Sequence, residues 1–349
     1  MRESIERHIS FAGCGFIGIY HVGVSAFLQQ YSSHLLDTKI GGSSAGAMCA
    51  LALVSGDISL EEMTRNVLML AHQASNKLMG PFNPTFNLHQ ILVKYFEDKL
   101  SEDVASKVSG RLFVSLTKAT NKKNVLVSEF SSKADLIEAV CASCFVPVMS
   151  GWRPPVFRGQ VALDGGYSDN IPALGGHTLT VSPFAGDAAI CPDKERVSQT
   201  PWRWRIPHGT GGCVNVSREN LSKLGKAMIP PNTAGMLALC CQGWSDARRF
   251  LLSEKLVRCK NCSENELSEF CEDCTALVQE AKENTLPQEL LNVFEEFREK
   301  ELRRCGSSFQ ACVESLSRKL VSTLIITMTP AIRLKGFRPT IESCPFVNF

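Results

Sequence analysis

The chain has 349 residues, 44% of them hydrophobic, a formal net charge of +2 and 15 cysteines. That length accommodates one large domain of about 200 to 250 residues plus an appendage, and a charge so close to balance gives no pointer to nucleic acid. The cysteines lack the dense short-loop layout of secreted scaffolds and read mostly as reduced thiols, which favours the cytosol or a surface facing it.

The opening MRESIERHIS mixes acidic and basic residues and does not read as a cleavable leader. Residues 9–36 contain no Asp, Glu, Lys or Arg, and 11–28 is long enough to be weighed as a membrane span. Gly13, Gly15, Gly18, Gly23 and His21 inside it favour a buried strand, turn and helix instead. The expected order is a short strand at 9–11, a glycine turn at 13–18 and a helix over 19–30. The turn's G-x-G-x-x-G spacing suits either a dinucleotide phosphate or an oxyanion hole built from backbone N–H groups. Asp37 stands about 20 residues on but precedes the next turn rather than ending a second strand, so the oxyanion use is favoured.

Residues 40–47 read IGGSSAGA. Ser44 alone has glycine two positions before and two after, Gly42 and Gly46, completing G-x-S-x-G; Ser43 fails at Ala45. A serine on a sharp strand-to-helix turn takes strained backbone angles, and residues two away must lack side chains that would collide across the turn. The following helix points free N–H groups at negative charge forming beside the hydroxyl. The other reading of these residues is a small-residue turn packed on a sheet.

Ser59-Leu60-Glu61-Glu62 is a capping box opening a helix to about residue 74, and Asn87 caps a second helix. Strands are expected at 111–117 and 124–130, a helix at 132–144 ended by Pro147, and strands at 156–164 and 178–183. The first of that last pair stops at Asp164-Gly165-Gly166. A carboxylate at a strand end is well placed for chemistry, although a turn aspartate capping its own backbone has the same look. Asp169, beside Asn170 and Pro172, fits the turn role better. Helices follow at 220–228 and 234–252, and the charged stretch 264–304 reads as a solvated helix pair. None of His8, His21, His34, His72, His89, His177 and His208 lies in a motif resembling a catalytic triad's.

FAGCGFIGIYHVGV, GGSSAGA and ALDGGYSDN occur in that order and together resemble the patatin-like phospholipase family. NPTFNLHQIL, NVLVSEF, CFVPVMSGWRPPVFRG and TVSPF resemble its adipose triglyceride lipase branch. The resemblance is strong over 8–183 and loose over 215–252. It implies an α/β three-layer sandwich with a mainly parallel central sheet, followed by a mostly helical C-terminal region. It also implies a Ser-Asp dyad: Ser44 as nucleophile, Asp164 as general base, the turn of Gly13, Cys14, Gly15 and Gly18 as oxyanion hole, and Asp164-Gly165-Gly166 as the Asp-Gly-Gly motif. Such a dyad needs no histidine and no cofactor, because a carboxylate partly removed from water can take the serine proton.

The domain organisation expected is a catalytic core over 8–183, a helical extension packing on it over 184–257, and a C-terminal region over 258–349. By resemblance the substrate is triacylglycerol or another neutral lipid, met at the lipid droplet surface from the cytoplasm, in a membrane-associated state and with a protein coactivator. A phospholipase A2-type acyl hydrolase and an acylglycerol transacylase use the same motifs. The apolar segment 320–332, inside the cation-flanked stretch 319–335, is too short to span a bilayer and suits interfacial docking or a last core element. Cys259-x-x-Cys262 and Cys271-x-x-Cys274 offer four thiolates to a structural zinc, or else are reduced cysteines on an amphipathic helix. With zinc bound, the alternative reading of the chain is a droplet-bound scaffold.

Overall fold

The computed structural model describes residues 7–192, 205–207, 209–259, 262 and 271–305. The apolar run after Arg7 forms strand β1 (Arg7–Phe11), a 3-10 turn (Gly15–Gly18) and helix α1 (Ile19–Tyr31), nearly all of it buried. Among the described residues no helix is long and apolar enough to cross a membrane. Strand β2 (Ile40–Gly42) leads into helix α2 (Ala45–Ser55). Helix α3 (Leu60–Ser75) starts where the Ser59 side chain accepts from the Glu62 N–H, and α4 (Leu88–Lys99) where the Asn87 side chain accepts from the Gln90 N–H. The short helix α5 (Val104–Val108), not foreseen from the sequence, precedes strands β3 (Leu112–Lys118) and β4 (Asn124–Val127), β4 ending earlier than expected. Helix α6 (Lys133–Ser143) is capped by Ser132.

The single strand expected over 156–164 is a hairpin, β5 (Val156–Phe157) and β6 (Gln160–Asp164). Arg158 and Gly159 have φ of 46° and 75°, and two left-handed residues in sequence make the tight turn that joins antiparallel strands. Strand β7 (His177–Val181), the small pair β8 (Arg205–Pro207) and β9 (Cys213–Asn215), and helices α7 (Arg218–Met228), α8 (Thr233–Ser253), α9 (Glu272–Glu283) and α10 (Gln288–Cys305) are the remaining elements among the described residues. The stretch 319–335, weighed for lipid docking, lies outside the described residues.

The fold is α/β. The central sheet has the order β5-β6-β3-β2-β1-β7, with β4 also on β3. Strands β7, β1, β2 and β3 run parallel, while β6 and β4 pair antiparallel with β3. Strand β3 therefore has three partners and only two edges. Partner β4 covers Val114–Thr117, β2 stops at Val114, and β6 begins at Leu116, so β2 and β6 share one edge end to end. That sharing sets the distance between the two loops that follow them.

Helices α1 and α8 pack closely through small residues: a Cβ on Gly23 would lie 1.9 Å from the Cys240 carbonyl oxygen, and one on Gly243 2.0 Å from that of Tyr20. The buried Tyr20 hydroxyl donates to Asp246 at 2.8 Å, which ties the two helices by a polar contact inside the apolar core.

Candidate active site

Strand β2 ends at Gly42, opposite Val114, and the chain turns at once into α2. Ser44 sits on that turn with φ 51° and ψ −126°, a conformation strained for any residue with a side chain. The fold holds it there from several sides. The Ser44 N–H donates to the Ser143 hydroxyl at 2.9 Å, and that hydroxyl donates to the Ser115 carbonyl at 2.7 Å, in the gap on β3 between β2 and β6. Both flanking glycines lie against β1: a Cβ on Gly42 would be 2.4 Å, and one on Gly46 2.2 Å, from the Phe11 carbonyl oxygen. The G-x-S-x-G pattern thus reflects a turn pressed onto the neighbouring strand.

Strand β6 brings Asp164 opposite Leu116, two residues along β3 from where β2 stops. The carboxyl is buried, accepts from the Gly166 N–H at 2.7 Å and lines the same cavity as Ser44. Burial lifts its pKa from 3.8 to about 6, and the nearby Ser44 hydroxyl and the Gly166 amide oppose part of that rise. Asp164 is therefore a carboxylate at neutral pH and a better proton acceptor than an exposed aspartate. Gly165 completes the strand-end turn, its carbonyl accepting from the Asp169 N–H at 2.9 Å. The Asp169 carboxylate faces elsewhere, taking the Thr210 N–H at 2.9 Å and the Thr210 hydroxyl at 2.8 Å, and so fastens the loop before β9.

The glycine turn lies across from Ser44. Cys14 and Gly15 line the same cavity as Ser44 and Asp164, and among the described residues no protein acceptor takes either of their N–H groups. The Gly13 N–H is engaged with the Asn170 side-chain oxygen at 3.1 Å, and a Cβ on Gly18 would lie 2.9 Å from that of Ala45. Gly13 and Gly18 thus shape the turn, and Cys14 and Gly15 carry its unoccupied donors. Behind it, buried His21 donates from Nε2 to the Ala12 carbonyl at 2.8 Å, while burial lowers its pKa to about 4 and keeps the ring neutral. His21 does not line the cavity.

Asn170, read from the sequence as part of a turn, joins the two halves of the site. Its side-chain oxygen accepts from Gly13 N–H and from the Ser43 hydroxyl at 2.8 Å, while its side-chain N–H donates to the Gly13 carbonyl at 3.0 Å. One amide therefore fixes the glycine turn against the serine elbow. No local pattern marks this role, because its partners lie 127 and 157 residues away.

The cavity measures about 500 Å³ and is walled mainly by apolar side chains. Val67 and Leu70 of α3 line it, together with residues of α7 and β9. Leu221, Leu224 and Met228, at i, i+3 and i+7 of α7, face it, yet Leu221 and Leu224 remain 60% and 52% exposed. Ile206 and Val216 extend this apolar rim, also half exposed. Away from the cavity, Cys259, Cys262, Cys271 and Cys274 converge at the junction of α8 and α9.

Residues 9–175 match the family model described as Patatin-like phospholipase. Over 257 residues the chain is 39% identical to Patatin-like phospholipase domain-containing protein 2 of Rattus norvegicus, covering 73% of this chain and 52% of that one. It is 38% identical over 272 residues to the 1-acylglycerol-3-phosphate O-acyltransferase Pnpla3 of Mus musculus, covering 74% and 64%. Against the Omega-hydroxyceramide transacylase of Mus musculus it is 33% identical over 246 residues, covering 70% and 40%. The chain spans about half the length of the relatives it matches.

Proposed function

The chain belongs to the patatin-like phospholipase family, on its adipose triglyceride lipase branch, and on that footing we propose that it is a serine acyl hydrolase of neutral lipids, acting on triacylglycerol through Ser44 and Asp164. The observation that carries this reading is a strained serine and a buried aspartate, its pKa raised to about 6, lining one apolar cavity. As Ser44 Oγ attacks the ester carbonyl, its proton passes to Asp164. The carbonyl oxygen becomes an oxyanion facing the N–H groups of Cys14 and Gly15. Collapse of the tetrahedral intermediate expels the alcohol, which takes the proton back from Asp164. Water then attacks the acyl-Ser44 ester with Asp164 again as base, releasing fatty acid.

The half-exposed leucines of α7 support a substrate met at a lipid surface, since they present an apolar rim at the cavity mouth. The droplet surface and a protein coactivator remain the family-based part of the proposal. An acceptor hydroxyl in place of water would give transacylation from the same acyl-enzyme, and two of the relatives are named for acyl transfer.

Product analysis with triacylglycerol, phosphatidylcholine and retinyl ester emulsions offered side by side tests this reading. Diacylglycerol and free fatty acid are expected to dominate. Lysophospholipid as the main product would favour the phospholipase alternative, and acyl groups recovered chiefly on added glycerides would favour the transacylase.

A further inference from the structure

We propose that Cys259, Cys262, Cys271 and Cys274 hold a single structural Zn²⁺ that clasps the start of α9 to the catalytic core. The four sulfurs all lie within 4.8 Å of one another. Cys262 Sγ is 3.3 Å from those of Cys271 and Cys274, and Cys259 Sγ is 3.7 Å and 3.6 Å from the same two. A tetrahedral zinc with Zn–S bonds of about 2.3 Å requires sulfurs about 3.8 Å apart, close to this spacing. A disulfide would need about 2.0 Å, well short of these four distances. Four sulfur donors and no oxygen or nitrogen select zinc over calcium or magnesium.

Two backbone N–H groups are aimed at the sulfurs. The Cys259 N–H donates to Cys274 Sγ at 3.3 Å, and the Cys274 N–H to Cys271 Sγ at 3.3 Å, bonds that orient and stabilise charged sulfur. Cys271 caps α9, so its sulfur also faces the positive end of a helix. Seven other described cysteines, among them Cys49, Cys141 and Cys240, are buried in the fold and do not belong to this cluster. Cys262 and Cys271, by contrast, are partly or fully exposed, so apolar burial does not account for their meeting.

The site's position defines what the metal would do. Just before it, the Arg258 N–H donates to the Tyr31 carbonyl at 3.1 Å and Ser32 Oγ to the Leu256 carbonyl at 3.0 Å, anchoring the chain to the end of α1. After it, Asn284 at the end of α9 donates to the Tyr31 hydroxyl at 2.8 Å. From there α10 returns across α3 through the Arg65–Glu296 pair, and α3 supplies Val67 and Leu70 to the cavity wall. Zinc would lock the first of these contacts, and through α9 the helix α10 that packs on α3.

The test is elemental analysis of the purified full chain together with cobalt substitution. About one zinc per chain is expected, with less than about a tenth of that after Cys262→Ser or Cys271→Ser. Replacing the metal by Co²⁺ should give the intense visible bands of a tetrahedral tetrathiolate, and these require no mutant to fold. Chelation should lower the melting temperature by several degrees, and Zn²⁺ alone should restore it. A chain that purifies without zinc and, fully reduced, gives no tetrathiolate spectrum with Co²⁺ would overturn the proposal. Bound iron in zinc's place would overturn the choice of metal.

Discussion

Ser44 and Asp164 meet because strands β2 and β6 share one edge of β3, with Gly42 opposite Val114 and Asp164 opposite Leu116. Asp164 ends β6 and Ser44 lies two residues past the end of β2, so the sheet register sets their separation, and both line one cavity. The proposed dyad tolerates no change in register, because a slip of one residue would turn Asp164 to the opposite face of the sheet.

Replacing either partner removes the transfer of the serine proton. Ser44→Ala and Asp164→Asn are each expected to lower hydrolysis of a soluble ester about 1000-fold or more. Asp169→Asn should stay within about tenfold, because Asp169 holds Thr210 and lies outside the proton path. Initial rates on a p-nitrophenyl ester distinguish these outcomes, and a reversed pattern for the two aspartates would move the base to Asp169.

The raised pKa of Asp164 sets both a rate profile and a stability profile. Activity requires the carboxylate, so kcat/KM should rise with pH through about 6 and then level. For stability the sign is opposite. A carboxyl whose folded pKa lies above its unfolded value favours folding when protonated, a contribution present below about pH 4 and lost as pH rises through about 6. Asp164→Asn should therefore raise stability at pH 7.5, by up to about 3 kcal/mol, and the gain should vanish near pH 4. Urea unfolding at both pH values measures it, and an equal difference at the two would remove burial of the charge as its cause.

Asn170→Ala removes the acceptor for Gly13 N–H and the donor to the Gly13 carbonyl. Displacing the glycine turn should lower kcat by about 100-fold with little change in KM, the size expected for a lost oxyanion donor. Asn170→Asp should not rescue it, because a carboxylate offers no donor to the Gly13 carbonyl. A KM effect without a kcat effect would mean that Asn170 shapes the cavity and not the turn.

The rim of α7 is separable from the chemistry. Leu221→Asp with Leu224→Asp places charge on the exposed apolar face and should reduce hydrolysis of emulsified triacylglycerol by about tenfold. Hydrolysis of a short soluble ester should be unchanged, and an equal loss on both substrates would place these leucines in substrate binding alone.

Much of this was legible in the sequence where local chemistry is restrictive. The elbow shows in Gly42 and Gly46 because the Phe11 carbonyl leaves no space for a Cβ, and the caps at Ser59 and Asn87 announce their helices. The β5–β6 hairpin was not legible, since Arg158 adopts a positive φ that its residue type does not advertise. Asn170 looked like a turn residue because its partners are remote in the chain. The part of α7 in the cavity wall was hidden for the same reason: Leu221, Leu224 and Met228 mark an apolar face, but only the folded chain says what it covers.

The most direct test of the dyad is to expose the full-length chain to a fluorophosphonate and locate the adduct by peptide mass spectrometry. A single adduct on Ser44 is expected, absent in Ser44→Ala and slowed in Asp164→Asn. Labelling of another serine, or full ester hydrolysis by Ser44→Ala, would contradict the assignment of Ser44 as nucleophile.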